Sequence, residues 1–191
     1  MWYRIARMIC QVFFTITHHG VTARHAERLP EGAALLCPNH TSIRDPIYVA
    51  VACGSRVKLR FMAKIELFRF RPLGALIRSL GAFPVRRGEA DLDAIRESLR
   101  ILKEGGKLLV FPEGTRVTEG KDVEAKAGAA MLAARSGAPM VPVYIENGRS
   151  WFRRVTVTFG EPIPVVGRRE EQRAAAVRVM DAIGEMKCAS R

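Results

Sequence analysis

The chain has only four cysteines in 191 residues: Cys10, Cys37, Cys53 and Cys188. They form no C-x-x-C pair, and none stands at zinc-ligand spacing from a histidine, so no metal site is expected. Three sit in apolar surroundings, as the buried reduced thiols of a cytosolic protein do. No stretch of about 18 uncharged apolar residues is present, which excludes an ordinary transmembrane helix. No G-x-S-x-G elbow and no evidently activated cysteine occur, so an enzyme-borne nucleophile is not expected. No recognised nucleic-acid-binding module appears. Repeats, low-complexity runs and a clear interdomain linker are also missing. Acidic residues are scarce as well. There are 19 Asp and Glu against 31 Lys and Arg, giving a formal charge of +12. Such a balance favours anionic partners: anionic lipid, phosphorylated substrates, acidic carrier proteins or nucleic acid.

What is present is enough for one folded domain. Hydrophobic residues make up 48% of the chain, too many for a disordered segment. The length suits one domain with a sizeable core. Residues 1–17 carry their polar side chains at Arg4, Arg7, Gln11, Thr15 and His18. At about 100° per residue these fall on one narrow stripe of a helix. Trp2, Ile5, Met8, Ile9, Val12, Phe13, Phe14 and Ile16 cover the remainder. That pattern favours a helix lying in the headgroup region, with its arginines towards lipid phosphates. A cleaved leader has no use for the polar stripe. A helix packed on the domain would show the same period. His18 and His19 are expected to be solvated.

Beyond this segment, strands and helices alternate. Residues 33–37 and 107–111 are continuous apolar runs of strand length, as in strands buried on both faces. Residues 59–63, 81–85, 140–145 and 155–159 are further strand candidates. Asp45-Pro46 reads as a helix start, with Asp45 as N-cap and Pro46 at the first helical position. Residues 65–80 read as two short helices broken by Pro72 and Gly74. Their Phe68, Phe70, Leu73, Leu76 and Ile77 are mixed with Arg69, Arg71 and Arg78. That mixture suits a lipid interface and equally an ordinary amphipathic helix. Residues 91–104 form the clearest helix, with Leu92, Ile95, Leu99 and Leu102 on one face. Helices are also expected over residues 124–135 and 172–187. The fold class is therefore α/β: a single domain with a mixed, mostly parallel sheet flanked by helices, preceded by the amphipathic segment of residues 1–20.

In such sheets ligands bind beyond the carboxyl ends of the strands. Three polar loops directly follow expected strands: those at His40, at Arg87 and at Glu113. Parallel strands would gather all three on one edge. His40 is a candidate general base, because histidine titrates near neutrality. Asp45 can accept a hydrogen bond from its second ring nitrogen and fix the tautomer. Residues five apart do not share a helix face. The two meet only if His40 lies in the loop and Asp45 at the helix start. Arg86, Arg87 and Arg116 can fork onto a phosphate. Gly114 admits close backbone approach, and Glu113 stands beside it to hold a substrate hydroxyl. Asn39, Ser42, Thr115 and Lys126 complete the candidates.

The run Asn39-His40-x4-Asp45, followed by Phe111-Pro112-Glu113-Gly114-Thr115-Arg116, resembles the glycerolipid acyltransferase family, in particular its bacterial 1-acyl-sn-glycerol-3-phosphate acyltransferases. Gly81-Ala82-Phe83-Pro84-Val85-Arg86-Arg87 resembles that family's second motif, and Val141-Pro142-Val143 its fourth. Lys126-x-Gly128 resembles the basic glycine segment before the fourth motif. Together the motifs span roughly residues 20–165, in the family's order. The resemblance implies an acyltransferase domain over residues 21–191. It implies transfer of a fatty acyl group from acyl-CoA or acyl carrier protein to the sn-2 hydroxyl of lysophosphatidic acid, giving phosphatidic acid. His40 would be the base and Asp45 its partner. Arg87, Glu113, Gly114, Thr115 and Arg116 would hold the acceptor phosphate and glycerol. No cofactor is implied beyond the thioester co-substrate. The partners would be the lysophospholipid acceptor, the acyl donor and an anionic membrane surface, with no nucleic acid. The setting would be the cytoplasmic face of the cell membrane, as a peripheral or monotopic protein. Val117 stands where many relatives have Ser. Pro84 replaces a common aromatic or aliphatic residue and bears on acyl or acceptor preference. Relatives that acylate lyso-ornithine lipid or glycerol 3-phosphate, and a non-catalytic lipid-binding protein of the same fold, are the rival readings.

Overall fold

The computed structural model describes residues 20–54, 57–86, 91–112, 127–146 and 154–190. The expected N-terminal helix, Arg87, Glu113, Gly114, Thr115, Arg116 and Lys126 lie outside the described residues. Seven strands form one sheet: β1 (Val21–Arg24), β2 (Ala34–Pro38), β3 (Leu59–Lys64), β4 (Ala82–Val85), β5 (Lys107–Leu109), β6 (Met140–Glu146) and β7 (Val155–Phe159). Their order is β1-β7-β6-β2-β5-β3-β4. From β6 to β4 every neighbouring pair is parallel. Strand β7 joins β6 antiparallel, and β1 follows β7 in parallel. The sheet is thus mixed and mostly parallel, as the alternation of elements anticipates.

Among the described residues five α-helices accompany the strands: α1 (Asp45–Ala52), α2 (Arg71–Ser79), α3 (Leu92–Lys103), α4 (Ala127–Ser136) and α5 (Arg169–Ala189). Strand β2 shows why its sequence is apolar throughout. Leu35 and Cys37 pack towards α3, α4 and α5, while Ala34 and Leu36 pack towards α1. All four are buried, so alternation has no solvent face to mark. The chain leaves β2 for α1 on one face and leaves β5 for α4 on the other. Adjacent strands whose connections diverge in this way open a crevice at their carboxyl ends, the usual ligand position in such folds.

Several local expectations shift. Helix α1 begins at Asp45 itself, with Arg44 at the N-cap position and Pro46 inside the first turn. Pro72 starts α2 rather than breaking it, because its missing N–H has no partner to lose in a first turn. The break falls earlier, between a 3-10 turn at Ile65–Phe68 and α2. In α3 the buried residues are Ala94, Ser98, Ile101 and Leu102, and Leu92 is exposed. Small side chains at 94 and 98 join the buried side, Leu102 is buried, and Ile95 and Leu99 still pack against the core, so of the expected face Leu92 alone turns outward.

Two contacts hold the sheet ends. Lys107, buried at the start of β5, donates through Nζ to the carbonyls of Pro30, Glu31 and Gly32 in the turn before β2. Desolvation holds its ammonium below the usual lysine range. Gly81, entering β4, has φ near 99°, and a Cβ there would stand 2.3 Å from the Leu59 carbonyl oxygen. Only glycine permits β4 to lie beside β3 at this point. Of the cysteines, Cys37 is buried, Cys53 is half-buried and Cys188 is exposed. Burial pushes the Cys53 thiol up to about 12, which makes it a poor nucleophile near neutrality.

Candidate active site

The loop after β2 is stitched to the sheet before it turns. Pro38 closes β2, opposite Val143 of β6. Asn39 continues the ladder with its backbone and then with its side chain. Its N–H donates to the Val143 carbonyl at 3.3 Å. Its amide oxygen accepts from the Ile145 N–H at 2.7 Å, and its amide nitrogen donates to the Ile145 carbonyl at 3.2 Å. The side chain thereby imitates one more strand residue and fixes where His40 leaves the sheet. Replacing Asn39 by Ala orphans the backbone groups of the buried Ile145, at a cost of about 1–3 kcal/mol. The expected result is a lowered thermal midpoint together with a reduced kcat, read by thermal denaturation and initial rates on the same preparation.

His40 is buried, and its Nδ1 lies 3.0 Å from Oδ2 of Asp45. Asp45 is fully buried. The same Oδ2 accepts the backbone N–H of Thr41 at 2.8 Å and of Ser42 at 2.7 Å. An oxygen already taking two N–H donors acts as an acceptor towards the imidazole too. Nδ1 therefore carries the proton, and the basic lone pair is placed on Nε2. Asp45 thus caps no helix. It folds back and clasps the loop that carries His40. Ser42 shapes the same turn, its Oγ accepting from the Arg44 N–H at 3.2 Å.

The ring of His40 stacks on Phe111, with centroids 3.7 Å apart and planes 19° from parallel. Phe111 lies two residues past the end of β5, the strand beside β2. The stack therefore brings the histidine loop against the start of the Phe-Pro-Glu-Gly-Thr-Arg run, as the parallel-strand argument requires. At β4 the described chain ends at Arg86, whose N–H donates to Asp91 Oδ2 at 2.8 Å. Asp91 also caps α3 by accepting from the Ala94 N–H at 3.1 Å. These two N–H bonds hold its carboxyl below the usual carboxylate range.

His40, Asp45, Asn39 and Ser42 form one cluster, and Arg86 sits on the same edge of the sheet. Three contributors carried no signal of their own in the sequence. Phe111 stood inside a motif without a role, the partner of Asn39 lies 106 residues away, and Asp91 looked like an ordinary helix start.

A family model described as Acyltransferase matches residues 20–146. The chain belongs to the acyltransferase family. Every site residue expected from the sequence, from Asn39 to Lys126, falls inside that span. The 1-acyl-sn-glycerol-3-phosphate acyltransferase of Bacillus subtilis is 32% identical over 151 residues, covering 75% of this chain and 74% of that protein. The enzyme of the same name from Streptococcus pneumoniae is 30% identical over 174 residues, covering 86% of this chain and 64% of that protein. Among solved structures, the 1-acyl-sn-glycerophosphate acyltransferase of Thermotoga maritima superimposes with a TM-score of 0.75 at 27% identity. That match covers 97% of this chain and 79% of the other. The acyltransferase class anticipated from the motifs is the class these relatives carry by name.

Proposed function

We propose that this acyltransferase moves a fatty acyl group from an acyl thioester, acyl-CoA or acyl carrier protein, to the sn-2 hydroxyl of lysophosphatidic acid. The product is phosphatidic acid. The observation that carries the reading is the contact of His40 Nδ1 with Asp45 Oδ2 at the carboxyl ends of the parallel strands of the sheet. Nε2 takes the proton of the acceptor hydroxyl as its oxygen attacks the thioester carbonyl. The new C–O bond forms, the C–S bond breaks, and the departing sulfur takes the proton back from the imidazolium. Asp45 stabilises that imidazolium while it lasts. A positioned base accounts for about 10²–10⁴ in rate, and orientation of two bound substrates supplies more.

On the family resemblance, Arg87 and Arg116 take the acceptor phosphate. Glu113, Gly114 and Thr115 hold the glycerol, with Arg86 and Lys126 nearby in sequence to add positive charge. No cofactor takes part. The protein works as a peripheral or monotopic protein on an anionic membrane surface at the cytoplasmic face, where both acyl chains can remain in lipid. Among the described residues no helix is long and apolar enough to cross a membrane. The test is a panel of lysophosphatidic acid, lyso-ornithine lipid and glycerol 3-phosphate, each with labelled acyl-CoA and acyl carrier protein. Conversion of lysophosphatidic acid to phosphatidic acid is expected. Conversion of another acceptor alone, or of none, overturns the assignment.

A further inference from the structure

The seven large hydrophobic side chains exposed among the described residues are unevenly placed. Ile43 (63% exposed) is in the loop after β2, and Leu92 (59%) opens α3 after β4. Phe70 (66%), Leu73 (36%) and Leu76 (54%) belong to the start and body of α2, the helix that leaves the end of β3. All five lie on the carboxyl edge that holds His40, or on the helix departing from it. Only Val166 and Val177 lie elsewhere.

Helix α2 is not an ordinary amphipathic helix with its apolar face in the core. Its one buried residue is Gly74. A Cβ there would stand 3.0 Å from the Phe68 carbonyl oxygen, so the helix rests on the 3-10 turn by backbone contact. Leu73 and Leu76 share a face and are exposed, and Phe70, the extended N-cap residue, is exposed just before them. Arg69 is exposed just before the helix, and Arg71 and Arg78 are exposed on the side of it opposite Leu73 and Leu76. Arg78 lies with its guanidinium 4.9 Å from the Phe68 ring centroid. The neighbouring acid, Glu66, is paired with Lys64 at 3.4 Å.

We propose that Phe70 and the Leu73–Leu76 face of α2, with Arg71 and Arg78 on the polar face opposite, dock on an anionic lipid bilayer and seat the His40 edge against it. A soluble protein partner is less well matched. The apolar side chains stand on a convex helix rather than in a groove, and its opposite face is basic, as in helices lying in a headgroup layer. The proposal deepens the lysolipid reading by naming the surface that meets the membrane. Its test does not depend on turnover.

In the full chain, Leu76→Trp adds a tryptophan to the native Trp2 and Trp151. Vesicles of brominated phosphatidylcholine and phosphatidylglycerol are expected to quench its fluorescence beyond that of the wild type. No excess quenching overturns the proposal. Arg71→Gln with Arg78→Gln is expected to weaken partitioning to phosphatidylglycerol vesicles roughly tenfold, with little change on pure phosphatidylcholine. If Phe70→Ser with Leu76→Ser changes the oligomeric mass or the thermal midpoint and leaves vesicle partitioning intact, a second copy or residues 1–19 cover the face, and the proposal fails. A short-chain lysophosphatidic acid acceptor, assayed without vesicles, separates the two readings. Its turnover is expected to survive the α2 changes, and failure of the wild type to use it counts against the acceptor assignment alone.

Discussion

His40→Ala is expected to lower kcat by about 10²–10⁴-fold and to leave the protein folded. The loss follows from chemistry. The acceptor hydroxyl is a weak nucleophile, and no second histidine stands in the described loop to take its proton. The fold survives because the loop does not depend on the imidazole. Asp45 Oδ2 still accepts from Thr41 and Ser42, and Asn39 still clamps Ile145. What disappears is the ring that stacks on Phe111, leaving a small cavity at a half-buried phenylalanine. Initial rates with lysophosphatidic acid and an acyl thioester, beside a thermal denaturation curve, measure both sides. Turnover near wild type would remove His40 from the chemistry.

Asp45 carries the second large effect, and two substitutions divide it. Asp45→Asn keeps an oxygen able to accept the Thr41 and Ser42 N–H groups, so the loop has its clasp. It removes the negative charge beside the imidazole, so the imidazolium formed during proton transfer loses its stabilisation in a buried site. A kcat loss of about 10²-fold or more is expected, with a small change in thermal midpoint. Asp45→Ala removes the clasp as well. Two backbone donors lose their partner, at a cost of about 1–3 kcal/mol each, so this variant is expected to be both inactive and clearly less stable. Equal stability of the two variants would mean that Thr41 and Ser42 do not rely on the carboxylate.

These two residues also show how far the sequence could be read. The continuous apolar runs of β2 and β5, bounded by Pro38 and by the Gly105-Gly106 pair, carry an unmistakable buried-strand signal. Two parallel strands side by side necessarily bring the residues after them together, which is why the meeting of His40 with the Phe111 run could be anticipated. Pro46 marked a helix start to within one residue. That single residue changes the role of Asp45, since a side chain at the first helical position turns back into the loop rather than forward over the helix end.

Other features had no local signature. The Asn39 clamp depends on the register of β2 against β6, which nothing near Asn39 encodes. In α3 the pattern places Ile95, Leu99 and Leu102 against the core, but the burial of Ala94 and Ser98 and the exposure of Leu92 depend on tertiary packing that the pattern does not encode. The exposed face of α2 could not be told from a core face by periodicity, because both give the same spacing of Phe70, Leu73 and Leu76. Only the packing distinguishes them. The roles proposed for Arg87, Glu113, Gly114, Thr115 and Arg116 rest on the family resemblance, and their substitution belongs with the acceptor panel.

The central claim is that His40 and Asp45 act as one unit in removing the acceptor proton. A double-mutant cycle on kcat, using wild type, His40→Ala, Asp45→Asn and the pair, tests it most directly. If Asp45 works only through the imidazole, the double variant should turn over no more slowly than His40→Ala alone. If the two losses multiply instead, the carboxylate acts independently of the histidine, and the dyad reading of the site is wrong.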